Sequence, residues 1–134
     1  MQRASFVVCA VLIASCGGGS HTPDPVGGGN NTPLCPAYAG AWTAVHSDQC
    51  GKITTTAVTL TQNQCVVSVS VPGVGDFTMN VGSGNRTATI KKDEACDRIE
   101  LPGGVDEVTA DRLHLVYGSG PDGCCRHGGL TIRK

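Results

Sequence analysis

From Gly40 to Ile132 the chain places apolar residues at alternate positions, in one short run after another. Val58 and Leu60 alternate with Thr59 and Thr61, and Val67, Val69 and Val71 with Ser68 and Ser70. Phe77, Met79 and Val81 alternate with Thr78 and Asn80, and Ala88 and Ile90 with Thr87 and Thr89. Leu113, Leu115 and Tyr117 flank His114 and Val116, and Leu130 and Ile132 end the series. A period of two sends successive side chains to opposite faces of an extended strand, one buried and one wet. No stretch keeps the 3.6-residue period of an amphipathic helix, so the fold is expected to be all-β. Turn-forming groups separate the runs: Gln62-Asn63-Gln64, Pro72-Gly73, Gly82-Ser83-Gly84-Asn85, Pro102-Gly103-Gly104 and Ala110-Asp111. The spacing predicts strands near 40–48, 54–62, 65–71, 76–82, 86–92, 97–109 (interrupted at Pro102), 112–118 and 128–133. Such a series suits a single small antiparallel up-and-down β-barrel of about eight strands, which leaves no open edge. An immunoglobulin-like sandwich is the alternative. Short sequential hairpins favour the meander.

The amino-terminal segment differs in character. Arg3 and the free amino group precede an apolar stretch, Ala4 to Ala14, that is too short for a membrane span of about 20 apolar residues. Residues 1–15 therefore read as a signal peptide. The run Ile13-Ala14-Ser15-Cys16, followed by Gly17-Gly18-Gly19, resembles the lipobox of bacterial lipoproteins. That resemblance implies a diacylglycerol thioether, and usually an N-acyl (palmitate-type) group, on Cys16. More than one acyl chain makes a membrane anchor stable. Gly17 stands where an aspartate usually retains lipoproteins at the inner membrane, which implies outer-membrane delivery in a Gram-negative cell. Residues 16–34 then comprise the lipidated cysteine and a Gly/Pro-rich tether. Its composition gives it nothing to bury, and as a flexible coil it spans roughly 25 Å.

Residues 35–134 form the expected barrel domain, with few aromatic rings and a core of Val, Leu, Ile and Ala. Six of the chain's eight cysteines lie there: Cys35, Cys50, Cys65, Cys96, Cys124 and Cys125. An even number in a small exported domain implies a disulfide framework. Barrel topology narrows the pairing. If the start of the first strand is the bottom, Cys35 and Cys65 lie at the bottom. Cys50, Cys96, Cys124 and Cys125 follow upward strands and lie at the top. Bridged Cα atoms must approach within about 7 Å. Cys35–Cys65 is therefore expected, with Cys50 and Cys96 each bonded to one of Cys124 and Cys125.

Gly40-Ala41-Trp42 opens the first strand. Lipocalins and other calycins carry Gly-x-Trp at that place, and the domain is similar to them in this tripeptide and in its strand pattern. The resemblance implies that Trp42 plugs one barrel end beneath a basic residue from the last strand, for which Arg133 is the candidate. The domain is shorter and richer in cysteine than a lipocalin, which argues against a wide ligand cup.

Catalytic signals are missing from the sequence. It carries no Ser-His-Asp order, Gly-x-Ser-x-Gly elbow, paired metal ligands or phosphate loop. The protein is expected not to be an enzyme and to need no cofactor or metal. Cys124-Cys125-Arg126-His127 has soft-metal ligand types, but in an oxidising compartment its cysteines read as half-cystines. Asp93, Glu94 and Asp97 flank Cys96, with Asp106 and Glu107 further on, at a spacing that matches no calcium loop. His46 shares the face of Trp42 and Ala44, so partial burial is expected; His114 is expected at the surface. The formal net charge of −1 and the lack of a basic stripe exclude a nucleic-acid partner. Two partner classes remain for a lipid-anchored, non-catalytic binding module of the cell envelope. One is a small apolar ligand in an enclosed cavity above roughly 300 Å³. The other is an envelope protein gripped by loops, as in small anchored barrels resembling lysozyme inhibitors. Gly82-Ser83-Gly84-Asn85-Arg86 is similar to their inhibitory loop, without its following tyrosine.

Overall fold

The computed structural model describes residues 35–134. The expected signal peptide, Cys16 and the expected tether lie outside the described residues. Eight strands are formed: β1 (Gly40–Asp48), β2 (Ile53–Asn63), β3 (Val66–Val71), β4 (Gly75–Asn80), β5 (Thr87–Lys92), β6 (Glu100–Val108), β7 (Arg112–Gly118) and β8 (His127–Arg133). They close in chain order into an antiparallel barrel, β8 pairing back onto β1 from Thr43↔Arg133 to Asp48↔Gly128. Among the described residues, helix is limited to one 3₁₀ turn, Glu94–Cys96. The sandwich alternative is thereby excluded.

The alternation in the sequence is the alternation of the wall. Val67, Phe77, Met79, Ile90, Leu115, Leu130 and Ile132 point inward and are fully buried, while the intervening threonines and serines face out. Each fully buried side chain of this size contributes about 1.5–3 kcal/mol relative to exposure. Eight strands enclose a space that side chains can just fill, and the inward apolar residues pack into one buried cluster here. Hollows of about 310 to 450 Å³ lie against outward residues such as Thr59, Thr78, Arg98 and Glu100.

Two features of β6 depart from expectation. The strand is not interrupted at Pro102, which pairs in register with Thr89. Lys92 N donates to Ile99 O and Val105 N to Arg86 O, so odd positions here turn their backbone polar groups to β5 and even positions to β7. Pairing with β7 begins only at Gly103, so the missing N–H of Pro102 breaks no ladder bond. The second feature is a register shift between Val105 and Glu107. This bulge keeps Val105 and Val108 on the core side and turns Asp106 and Glu107 outward, where they meet His114 (2.6 Å) and Arg112 (3.2 Å).

The bottom is closed by the segment that leads into β1. Tyr38 is fully buried; its hydroxyl donates to Thr109 O (3.0 Å), and its carbonyl accepts the Trp42 indole N–H (2.7 Å). Trp42 is the plug expected from Gly-x-Trp, but the cation over it is Lys134, with Nζ 5.1 Å from the ring centroid, rather than Arg133. Alternation explains the correction. Ile132 points inward, so Arg133 points out and is exposed. Lys134, just past the strand end and held by its N–H to Asp111 O, turns back over the indole. Lys134→Ala is expected to cost about 0.5–1 kcal/mol and to shift the emission of Trp42, the chain's one tryptophan. Arg133→Ala is expected to stay within about 0.5 kcal/mol, with emission unchanged. Chemical denaturation followed by fluorescence reads both.

Candidate functional site

Odd-numbered strands run upward, and three of them end their inward series in a polar residue. On β1 the series is Trp42, Ala44, His46; on β5 it is Ala88, Ile90, Lys92; on β7 it is Leu113, Leu115, Tyr117. The top of the core is therefore a polar cluster, with Phe77 as its floor. Phe77 lies 6.2 Å from His46 and 6.0 Å, edge-on, from Tyr117, measured between ring centroids. His46 is 4% exposed and Lys92 is 6% exposed.

Tyr117 fits because its neighbours lack side chains. It pairs with Gly103 on β6 and Gly128 on β8. A Cβ on Gly128 would stand 2.6 Å from the Tyr117 hydroxyl and 2.5 Å from Ser47 O. Any larger residue at 128 would displace the phenol.

The hydrogen bonds form a chain. The Lys92 ammonium, which can only donate, gives a proton to the Tyr117 oxygen (3.1 Å) and lies 5.3 Å from the ring centroid. The Tyr117 hydroxyl also shares a hydrogen bond with His46 Nε2 (2.8 Å), its direction set by the histidine tautomer. Burial is the main cause of the accompanying shifts. It lowers His46 to about 4, helped by the positive charges of Lys92 and Lys52 and opposed by Asp48. It raises Tyr117 to about 12, with Asp48 adding to the effect. It also lowers Lys92, against the pull of Asp93 and Asp48. Above the cluster opens a cleft of about 180 Å³, bordered by Asp48, Lys52, Lys92, Asp93 and the half-cystines Cys96 and Cys124.

Covalent bonds fix the loops around this mouth. Cys50 is bonded to Cys124 and Cys96 to Cys125, which resolves the pairing that barrel topology alone left open. The adjacent cysteines of the β7–β8 loop thus hold both the β1–β2 turn and the β5–β6 segment. The remaining top turn, β3–β4, is tied by Asp93 N donating to Val74 O. At the opposite end Cys35 is bonded to Cys65.

Of the other residues singled out from the sequence, Asp93 borders the mouth, while Glu94, His114 and Gly82–Arg86 do not. Asp93 precedes the 3₁₀ turn, and Glu94 pairs with Arg98 across it. His114 sits outside the barrel with Asp106, and Gly82–Arg86 lies at the bottom, where Gly82 N donates to Asn80 Oδ1 (2.9 Å). Sequence reasoning placed His46 but found it no partner. Lys92 and Tyr117 were the missing ones. The signal was the alternation itself, which already reached Tyr117 on β7 and needed one further step along β5 to reach Lys92.

No protein-family model matches the sequence, and no curated protein matches it either. Among solved structures, a de novo designed fluorescence-activating beta barrel is similar, with a TM-score of 0.48 and 13% identity over 72% of this chain and 93% of that one.

Proposed function

We propose that the protein is a lipid-anchored bacterial lipoprotein whose extracytoplasmic barrel is a non-catalytic binding module, engaging its target through the pinned loops of the mouth. The observation that carries this reading is the combination of an interior packed with buried apolar side chains and a top whose four connections are all tied down. Rigid loops lose little conformational entropy when they dock. An interior lined by closely packed apolar side chains supports engagement by the loops over the enclosed apolar ligand that was the other expectation. Cys35, where the described chain begins, stands at the end of the barrel opposite the mouth. Gly17 is consistent with outer-membrane delivery where the cell has such a membrane.

Two measurements test the proposal. Cys16→Ser is expected to move the protein from the membrane fraction to the soluble one; continued retention counts against anchoring at that residue. The released protein is expected not to take up an apolar fluorophore saturably. One-to-one uptake of such a dye would replace the loop reading with an interior one.

A further inference from the structure

We propose that the mouth is a carboxylate-binding site, with the ligand's oxygens received by the Lys92 ammonium. The inference rests on the mouth being the working surface, and it specifies what enters there.

Lys92 is the unusual group in the molecule. A cation removed from water requires a counter-charge or a full set of hydrogen bonds. An ammonium has three protons to place. One goes to Tyr117, and among the described residues Lys92 makes no ion pair. The two carboxylates of the cleft do not supply one. Asp48 accepts from Lys52 N (2.9 Å), and neither Asp48 nor Asp93 comes within ion-pair distance of Lys92. Neutral His46 and Tyr117 offer no negative charge. The remaining protons of Lys92 are thus available to the cleft, and Lys52 stands on its rim.

Size and charge select the ligand. A space of about 180 Å³ takes a compact polar group and not a ring system. Asp48 and Asp93 repel a second negative charge, which favours a monoanion over a phosphate dianion. A carboxylate satisfies both conditions. It can belong to a free small acid or to the end of a peptide chain, and the recognition chemistry is the same.

The test is an NMR titration of the full chain carrying Cys16→Ser, with acetate, its neutral isostere acetamide, and a short peptide ending in either a free or an amidated carboxyl. Acetate is expected to shift the Lys92, His46 and Tyr117 resonances saturably, with a Kd in the range of about 1–50 mM. Acetamide is expected to leave them unmoved. Bound acetate is also expected to raise the His46 midpoint, because it offsets the field of Lys92. Lys92→Met, which removes a buried cation and keeps the stem, is expected to fold and to weaken acetate by about tenfold or more; Lys52→Gln is expected to weaken it by about two- to threefold. A free-carboxyl peptide that binds more tightly than acetate, with an inert amidated twin, assigns the group to a chain end. Acetate binding without that gain assigns it to a free acid. Equal binding of acetate and acetamide, undiminished acetate binding by Lys92→Met, or no saturable shift up to about 100 mM with either carboxylate overturns the site. Membrane release and dye exclusion are read independently, so this result leaves the anchored loop-binding module standing or falling on its own tests.

Discussion

Replacing Cys50 and Cys124 together by alanine is expected to lower the unfolding free energy by about 4 kcal/mol. The bridge spans 74 positions of sequence, more than twice the 30 of Cys35–Cys65 and the 29 of Cys96–Cys125. Its entropic weight is not that of an isolated crosslink. Cys96–Cys125 already shortens the path from Cys50 to Cys124, leaving an effective loop of roughly 50 residues in the unfolded chain. Small domains are stable by about 5–15 kcal/mol, so the loss takes a large share of the total. Guanidinium titration of the double variant against the parent reads it, with the midpoint falling more than the slope changes. A loss below about 1 kcal/mol would mean that the unfolded chain gains little freedom from the cut. The mouth should respond as well: without this bridge the β1–β2 turn, which carries Lys52, is tied to the β7–β8 side by hydrogen bonds alone, Gln49 N to His127 O and Gly123 N to Gln49 Oε1 (both 3.1 Å).

Acid is expected to unfold the protein through His46. The folded state holds this imidazole neutral, with its midpoint lowered to about 4, whereas the unfolded chain binds the proton near pH 6.5. The unfolded state therefore takes up a proton first as pH falls. The stabilisation is complete above about pH 6.5 and is lost progressively down to about pH 4, to an extent of about 3 kcal/mol. His46→Gln keeps a polar side chain at the position and removes the titration. The difference between the two stability-versus-pH curves isolates this residue, because every other acid and base is common to both proteins. Stability curves that run parallel from pH 7 to 4 would show that the ring is not held neutral by its surroundings. The NMR titration of its ring protons gives the midpoint directly.

Much of this architecture is legible in the chain. Alternation identified all eight strands and their order, because a wall with one wet face and one dry face imposes its period on the sequence. Strand direction then sorted the cysteines to the two ends. What stayed hidden depends on choices finer than a face. Cys124 and Cys125 are neighbours in one loop, and only the folded backbone decides which side chain turns towards Cys50. Pro102-Gly103-Gly104 resembles a turn; it is strand because the proline's backbone position needs no donor and because glycine at 103 makes room beside Tyr117. The cation over Trp42 was assigned to the last strand, although alternation already turned Arg133 away. Lys92 escaped notice for the opposite reason. Lysine is expected at the surface, so the inward series of β5 was followed only as far as Ile90, when Lys92 is its most consequential member.

The barrel's two poles also define how it meets force. A tug between the amino-terminal segment and anything gripping the mouth runs along the strands, since Cys35 stands at one pole and the crosslinked loops at the other. Loaded in that direction, the ladders joining β1 to β2 and to β8 must slide as wholes and cannot be peeled open one bond at a time. Cys35–Cys65 divides the strain at its point of entry between β1 and the β2–β3 hairpin. Loaded between Cys35 and the mouth, the fold is thus a tensile link whose strands share the strain side by side.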